Sequence, residues 1–296
     1  MSKVMSMAEA VDRFVPDGSR VAMGTCLEPL IPFAAGHEII RRGRRDLELV
    51  GPISDALFDQ LIGAGCVRRI TAAWVGNVSE GLGHCYRRAA EQGVPRSIEI
   101  HDHSNFSISM ALWAAAWNVP WLPARTLLGS DILRTNPDLE VVDGLVRVKA
   151  VQPDVAIVHV QRCDAAGRAH AWGPLGIVEE AGLAARAVIV TCEELVDDSV
   201  ILSDPNRILF PETRVVAVVH EPGGAHPSPV QGFFKRDHAF YREYAEQSRT
   251  REGFEEWLKR WVFDVPDRAS YLERVAVDEL RIKGTRMSAP VNYADA

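Results

Sequence analysis

The stretch VVAVVHEPGGAHPS, residues 215–228, decides how the rest of the chain is interpreted. An apolar β-type run ends in a turn that contains two adjacent glycines, Gly223 and Gly224. Glycine permits positive φ and has no Cβ, so such a turn suits the carboxyl edge of a sheet, where ligands are contacted. The stretch therefore predicts a strand of an α/β sheet whose end approaches a ligand.

Upstream of this stretch, short β-type runs alternate with helical segments. The pairs are 19–24 with 33–42, 47–51 with 55–62, 68–75 with 81–91, and 155–160 with 178–186, followed by runs at 187–191 and 214–220. Such alternation predicts right-handed βαβ crossovers and an α/β fold with a mostly parallel sheet flanked by helices. A turn signal at 164–167 predicts a local hairpin. Residues 135–144 are interpreted as a looser stretch.

The last part of the chain has a helical, highly charged pattern. We expect a single domain over 1–296, with an α/β core at 1–230 and a C-terminal helical extension at 231–296. Trp257 and Trp261 lie four residues apart and share a helical face. Aromatic residues at this spacing predict packing of the helical tail on the sheet or on a second subunit.

Composition excludes several classes of protein. The chain has 296 residues, 47% hydrophobic, and a net charge of -7 from 33 basic and 40 acidic residues. Spread-out basic residues and a negative net charge argue against nucleic-acid binding. No apolar run reaches the roughly 18 residues of a membrane span, and no signal-peptide core is present. Five cysteines without CxxC spacing predict reduced thiols in a cytoplasmic protein, with neither disulfides nor zinc.

Polar or small residues follow three of the predicted strands, and these are the candidate substrate-binding residues. They are Gly24, Thr25 and Cys26 after the first strand, Asn77 and Ser79 after the third, and Ser104 and Asn105 at the next strand end. Backbone N–H groups, amides and hydroxyls at strand ends can hold a carboxylate or a thioester oxygen. Each group also has a purely structural interpretation as a turn or a helix N-cap. His101 and His103 have no third ligand at metal-binding spacing, so no metal site is predicted.

Carboxylates at strand ends raise a second possibility. Glu221 precedes the two glycines, and Glu193 and Glu194 end another strand. A glutamate beside free N–H groups can act as a nucleophile on an acyl group, but a solvated edge carboxylate is the commoner outcome. The residues alone leave both interpretations open.

Several segments, in this order, resemble the α subunits of class I CoA-transferases of the glutaconate type. They are MSKVM at 1–5, IRRG near Gly43, LIGAG at 61–65, LP at 122–123, PDVAIVH at 153–159, IVTCEEL at 189–195, GGAHPS at 223–228 and WVFD at 261–264. The resemblance covers nearly the whole chain. It implies an α/β subunit that packs with a homologous β subunit, in an α2β2 assembly, with the active site between them.

The resemblance also implies a mechanism. A glutamate attacks acyl-CoA to give a mixed anhydride and then a glutamyl-CoA thioester, which passes CoA to an acceptor acid. CoA is a substrate, and no other cofactor is implied. In two-subunit members the glutamate belongs to the β subunit, so no catalytic residue is expected in this chain. Glu193, Glu194 and Glu221 are therefore not expected to act as nucleophiles. Asn77 and Ser104 match polar positions of the family that line the shared pocket.

Departures from the family pattern bear on the substrate. The segment 25–31, TCLEPLI, replaces a glycine-rich turn followed by charged residues, which disfavours a dicarboxylate and favours a more apolar acid. Ring-opening acyl-CoA hydrolases of the same fold have a catalytic glutamate where this chain has Asn105, and an amide cannot act as that base. An acyl-CoA hydrolase or decarboxylase remains the alternative, and a non-catalytic effector-binding domain is the third.

Overall fold

The computed structural model describes residues 3–282. The expected helical character of 283–296, and Met1 and Ser2 of the first family segment, lie outside the described residues. The strands are β1 (Arg20–Ala22), β2 (Leu47–Ile53), β3 (Val67–Trp74), β4 (Gly76–Asn77), β5 (Gly81–Leu82), β6 (Glu99–Asp102), β7 (Trp121–Ala124), β8 (Leu139–Val142), β9 (Leu145–Lys149), β10 (Val155–Cys163), β11 (Ala169–His170), β12 (Ala187–Leu195) and β13 (Val215–His220).

The helices alternate with these strands along most of the chain. They are α1 (Met7–Phe14), α2 (Phe33–Arg41), α3 (Ala56–Gly63), α4 (His84–Gln92), α5 (Asn105–Ala116), α6 (Ile132–Thr135), α7 (Val178–Ala184), α8 (Asp198–Leu202), α9 (His238–Gln247), α10 (Arg251–Leu258) and α11 (Arg268–Arg274). In the described part of the chain, no helix combines the length and the apolar character that crossing a membrane requires.

The main sheet confirms the predicted α/β fold. Its strand order is β13-β12-β10-β1-β2-β3-β6, and every neighbouring pair in this path is parallel. The short β11 pairs antiparallel with the end of β10, as the turn signal at 164–167 predicts. Asp164 closes that turn, because its Oδ1 accepts from the backbone N–H groups of Ala166, Gly167 and Arg168 at 2.9 to 3.0 Å.

Both faces of the sheet are covered, which explains why its central strands are apolar without alternation. All nine residues of β10 are buried. Val155 and Ile157 belong to the core on one face, with α1–α4 and the tail helices, whereas Ala156 and Val158 belong to the core on the other face, with α5 and α7.

The interpretation of 135–144 as a looser stretch is wrong. Strands β7, β9 and β8 form a separate three-stranded antiparallel sheet in this region. Asp143 and Gly144 make its hairpin turn, with φ of 52° and 74°, the conformation that an Asp-Gly pair favours. The strands are short and only partly buried, so they lack the apolar runs by which the main strands are recognised.

The tail helices pack on the sheet domain. Trp257 and Trp261 are both buried, and their ring centroids lie 6.0 and 5.0 Å from that of Phe240. Trp261 lies in a π-helical turn, Lys259–Phe263, so the two tryptophans are not part of one regular α-helix. The tail becomes helical only at His238, where Asp237 caps α9. Residues 231–233 form a turn, and 235–237 have no regular secondary structure.

Candidate active site

The turn after β1 is the first element of the site. Gly24 has a φ of +66°, and a Cβ at this position would lie 2.5 Å from Ser54 Oγ and 2.9 Å from Ser54 Cα. Only glycine fits both the backbone conformation and the space. Ser54 follows β2, and its Oγ donates to the Met23 carbonyl at 3.0 Å. The carboxyl ends of β1 and β2 are therefore held against each other.

Thr25 and Cys26 are buried within this turn, at 3% and 2% exposure. The carbonyl of Thr25 accepts from the backbone N–H of Ile177 at 2.8 Å, so the segment before α7 covers the turn. Burial raises the pKa of the Cys26 thiol to about 12, which keeps it protonated and unreactive. The turn lies at the predicted edge, but it shapes the edge and does not display these two side chains.

Asn77 and Ser79 belong to the turn that follows β3. Asn77 is buried, its Nδ2 donates to the Tyr241 carbonyl at 2.9 Å, and its Oδ1 accepts from the Ser79 backbone N–H at 3.1 Å. Ser79 is exposed, and its Oγ accepts from Arg236 Nε at 3.1 Å. Asn77 therefore fixes the turn, while Ser79 presents a hydroxyl.

Ser104 and Asn105 begin helix α5 beyond the end of β6. Ser104 is its N-cap: Ser104 Oγ accepts from the Ser107 N–H at 3.0 Å, and Ser107 Oγ accepts from the Ser104 N–H at 2.9 Å. This reciprocal pair is a capping box. Asn105, the first helical residue, is exposed. The structural interpretation of Ser104 as a cap is confirmed, and the exposed amide next to it is the group available to a ligand.

Sheet order brings these residues into one row. Strands β1, β2, β3 and β6 are successive neighbours, and all are parallel. Because neighbouring strands lie about 4.8 Å apart, the row from the β1 turn to the start of α5 spans roughly 14 Å. The seven candidates thus occupy one edge of the sheet.

The row contains two residues that sequence reasoning missed, Asp55 and Arg236. Asp55 follows β2 with a left-handed φ of 46°, and its Oδ1 accepts from the Val78 N–H at 2.9 Å. Arg236 Nη2 lies 2.6 Å from Asp55 Oδ2 in an ion pair that is almost fully buried. Burial raises the pKa of Asp55, and the charge of Arg236 opposes that shift. No sequence signal connects these two residues, since more than half of the chain lies between them.

The histidines beside the row have structural partners. His101 Nδ1 lies 2.7 Å from Asp138 Oδ2, and His103 Nδ1 lies 3.0 Å from Ser107 Oγ. Burial lowers the pKa of His103 to about 4, so its ring is neutral at physiological pH. Within residues 3–282 no group of three or more His, Cys, Asp or Glu side chains has the geometry of a metal site.

The GGAHPS turn supports the row from behind. Ser228 Oγ donates to the Glu28 carbonyl at 2.5 Å and accepts from the Ile31 N–H at 3.3 Å. The Ala34 N–H donates to the Gly224 carbonyl at 2.9 Å. The turn therefore positions the loop between β1 and α2, which begins at the row.

Apolar side chains flank the polar row and remain uncovered. Val78, Leu82 and Phe106 are 38%, 48% and 55% exposed. Val78 and Phe106 adjoin Asn77 and Asn105 in sequence, and Leu82 lies opposite Gly76 in the β4–β5 pair. A pocket for an acyl group needs apolar walls on several sides. In the part of the chain that the structure describes, this row forms one wall.

Comparisons with known proteins place this edge in context. The family model for coenzyme A transferase matches residues 4–221. The chain is 39% identical to the A subunit of 3-oxoadipate CoA-transferase from Pseudomonas knackmussii, over 93% of this chain and 99% of that protein. The chain belongs to the coenzyme A transferase family.

Two further relatives agree with this assignment. The CoA-transferase chain is 32% identical to the A subunit of glutaconate CoA-transferase from Acidaminococcus fermentans, over 95% of this chain and 94% of that one. It superposes on the crystal structure of that enzyme with a TM-score of 0.89 and full coverage of both chains, at 29% identity. It also matches the crystal structure of a variant of the decarboxylase AibA/AibB, with a TM-score of 0.72, 29% identity, and 88% and 100% coverage.

These likenesses confirm the sequence-based prediction of a CoA-transferase subunit of the A type, with its mostly parallel sheet. CoA is a substrate of this family. The two sequence relatives are each named as the A subunit of their enzyme, so each belongs to a multi-subunit enzyme. A match to enzyme subunits over the whole chain does not favour the effector-binding alternative.

The carboxylates of Glu193 and Glu221 in this CoA-transferase chain lie away from the row of candidate residues. Glu193 is buried, with Oε1 2.8 Å from His159 Nε2 and Oε2 accepting from the Gly223 N–H at 2.7 Å. Glu221 lines a cleft of about 500 Å³ bounded by α1, α2 and the start of α11. Burial raises the pKa of Glu221. Neither carboxylate lies in the row at the ends of β1, β2, β3 and β6.

Proposed function

We propose that this chain is the A subunit of a heteromeric CoA-transferase that moves CoA between an acyl-CoA and a carboxylic acid. CoA is the substrate, and no further cofactor takes part. The full-length likeness to two CoA-transferase A subunits carries this proposal. The five cysteines are buried and unbridged, which supports a reducing compartment, and we place the enzyme in the cytoplasm.

In this proposal the chain provides a binding wall and its partner provides the nucleophile. A partner glutamate attacks the thioester carbonyl, which gives a mixed anhydride and frees the CoA thiolate. The thiolate then attacks the glutamyl carbonyl of the anhydride, forming glutamyl-CoA and releasing the donor acid as a carboxylate. Hydrogen-bond donors placed where the carbonyl oxygen gains charge lower this barrier. The Ser79 hydroxyl accepts from Arg236 and so keeps its own proton for a substrate oxygen. The exposed amide of Asn105 is the second such donor.

The partner is a homologous β subunit in an α2β2 assembly. Its docking face in this proposal is an aromatic patch, which we define as Phe106, Trp113, Trp117 and Trp121. Phe106 is 55%, Trp117 60% and Trp121 38% exposed, and the Trp113 and Trp117 rings lie 5.4 Å apart. Aromatic groups exposed together are typical of interfaces. The patch starts next to Asn105, so a partner bound there reaches the site.

The acceptor is an acid with a single carboxylate. Among the described residues, Arg236 brings a guanidinium into contact with the row. The carboxylate of Asp55 already neutralises its charge. Holding an unpaired second carboxylate there would carry a desolvation cost. The relatives are named for 3-oxoadipate and glutaconate, which are dicarboxylates, so a panel of hexanoate, adipate and glutaconate tests this point directly. We expect the highest kcat/KM with hexanoate, and a preference for adipate or glutaconate would refute it.

The decisive experiment is trapping of the thioester. The chain is co-expressed with the product of the neighbouring open reading frame, and the complex is treated with borohydride with and without acyl-CoA. Inactivation only after acyl-CoA is added, with the mass change on the partner and not on this chain, is the expected result. A mass change on this chain would refute the division of labour.

The alternative is a decarboxylase, favoured by the 88% coverage of this chain in the match to AibA/AibB. It predicts release of CO₂ from a carboxylated acyl-CoA with no trapped thioester. A hydrolase is disfavoured because the Asn105 amide cannot serve as a general base. Free CoA released without an acceptor acid would identify hydrolysis.

A further inference from the structure

Arg236 reaches the candidate active site from the segment that follows the last strand. Its Nη2 lies 2.6 Å from Asp55 Oδ2, its Nε donates to Ser79 Oγ at 3.1 Å, and its guanidinium stacks over the Tyr241 ring at 3.9 Å. Only 10% of its side chain is exposed, and Asp55 is fully buried. This arginine therefore joins the ends of β2 and β3 to helix α9.

The turn at 77–79 is tied at every residue to this cluster. The Asn77 side chain donates to the Tyr241 carbonyl, the Val78 N–H donates to Asp55, and Ser79 Oγ accepts from Arg236. Asp55 thus contacts both partners: Oδ1 accepts from the turn, and Oδ2 forms the ion pair with Arg236. The position of the exposed Ser79 hydroxyl depends on Arg236 through two contacts, one direct and one through Asp55.

The shape of the guanidinium makes this arrangement specific. A planar fork of donors can contact Asp55 and Ser79 at the same time, and its flat face can stack on Tyr241. A lysine ammonium is a single point on a flexible stem, so it can neutralise Asp55 or bind Ser79 but not hold both in one geometry.

We propose that Arg236 is a positioning residue for CoA transfer, acting through the Ser79 hydroxyl and the 77–79 turn. The C-terminal segment thereby takes part in the site at the strand ends, although most of the tail serves packing. This inference rests on the proposed transferase function, and it adds a residue whose side chain touches no substrate atom.

The test uses the full chain in complex with its partner, in four variants and a control. The variants are Arg236→Lys, Arg236→Met, Ser79→Ala, and the double variant Arg236→Lys with Ser79→Ala. The control is Arg242→Met, because Arg242 is exposed on the nearby helix α9 and lies 3.9 Å from Glu80. Arg236→Lys keeps the charge that the buried Asp55 needs, so it remains informative if Arg236→Met does not fold.

The first measurement does not depend on activity. Hydrogen–deuterium exchange of the peptide 76–82 should speed up by about tenfold in Arg236→Lys, because loss of the fork removes roughly one hydrogen bond's worth of restraint. The Arg242→Met control should leave the exchange unchanged. Unchanged exchange in Arg236→Lys would overturn the proposal.

The second measurement is a double-mutant cycle on kcat/KM. We expect Arg236→Lys and Ser79→Ala each to lower kcat/KM by roughly tenfold, and the double variant to lose no more than either alone. If Arg236 only stabilised the fold, the two losses would multiply to about a hundredfold, and the proposal would fail.

Activity of the wild-type complex distinguishes a failure of the proposed function from a failure of the proposed role of Arg236. A wild-type complex without CoA transfer would refute the proposed function and, with it, the role of Arg236. An active wild-type complex whose Arg236→Lys variant retains full kcat/KM would refute the role of Arg236 alone.

Discussion

Replacing Gly24 with alanine tests the geometry of the site edge most directly. At this position φ is +66°, and an added Cβ would meet Ser54 Oγ at 2.5 Å, Ser54 Cβ at 2.6 Å and Ser54 Cα at 2.9 Å. Rotation of the Ser54 side chain cannot relieve this contact, because the added Cβ also collides with the Ser54 backbone Cα. Ser54 Oγ is in addition hydrogen-bonded to the Met23 carbonyl. The backbone after β1 or the backbone after β2 must therefore move.

The expected loss of folding free energy in Gly24→Ala has two parts, and a matched control variant separates them. Placing alanine in the left-handed region costs about 1 kcal/mol, and forcing atoms into a filled space costs a further ~1–3 kcal/mol. Gly18 precedes the same strand with a φ of +81° and has nothing within 4 Å of an added Cβ. Gly18→Ala therefore has only the backbone cost, and the difference between the two variants measures the collision with Ser54.

Thermal unfolding of the two variants, followed by tryptophan fluorescence, gives this difference. At about 2 °C per kcal/mol for a chain of this size, Gly18→Ala should lower Tm by about 2 °C and Gly24→Ala by roughly 4–8 °C. Gly24→Ala should also lower kcat of the complex, because the Thr25 to Cys26 turn shifts with it. Equal Tm values for the two variants would show that the ends of β1 and β2 are not packed as described.

His103, Trp117 and Ser104 each allow a separate test of the structure. The folded chain keeps His103 unprotonated down to about pH 4, whereas the unfolded chain binds that proton below about pH 6.5, so stability should fall by about 3 kcal/mol as the pH drops through this window. His103→Gln should flatten the plot of Tm against pH between about 7 and about 4.5, and an unchanged slope would contradict the assignment. Trp117→Asp should weaken binding of the partner by roughly 30-fold with little change in Tm of the chain alone, whereas Leu202→Asp, at a similarly exposed position outside the patch, should not. Ser104→Ala removes the N-cap of α5 and should cost about 1 kcal/mol in urea unfolding, and a neutral result would mean that the cap is not formed in solution.

Much of the fold could be predicted from the sequence because its strands are buried on both faces. Apolar runs such as 155–160 and 187–191 stand out without any alternation, and the intervening helices have the length of βα crossovers. The three-stranded sheet of β7, β8 and β9 gave no such signal, since half-exposed strands of four or five residues resemble loop in composition. Its Asp143-Gly144 turn was the one local clue, and it requires flanking strands to be convincing.

For the site, the sequence could predict positions that follow a strand but not contacts between distant segments. Gly24, Asn77 and Ser104 could be placed because each follows a recognisable strand, and parallel strands bring their carboxyl ends to one edge. The sequence could not show that the Asn77 amide is used up by Tyr241 and the Ser79 N–H. It could not show the ion pair of Asp55 and Arg236 either, because that contact exists only after the tail has folded back on the sheet.

Two arginines of the C-terminal tail hold turns next to the row. Arg268 donates to the carbonyls of Gly223 and His226, and Ser228 of the same turn holds the loop between β1 and α2. The tail thus fixes the GGAHPS turn through Arg268 and the 77–79 turn through Arg236. A truncation before Arg236 should therefore loosen both ends of the row at once, while the strands of the main sheet keep their pairing. Exchange measurements on such a truncated chain would separate this view from one in which the tail only covers the core, since core exposure alone would raise exchange in α2 and α3 and leave the 77–79 turn protected.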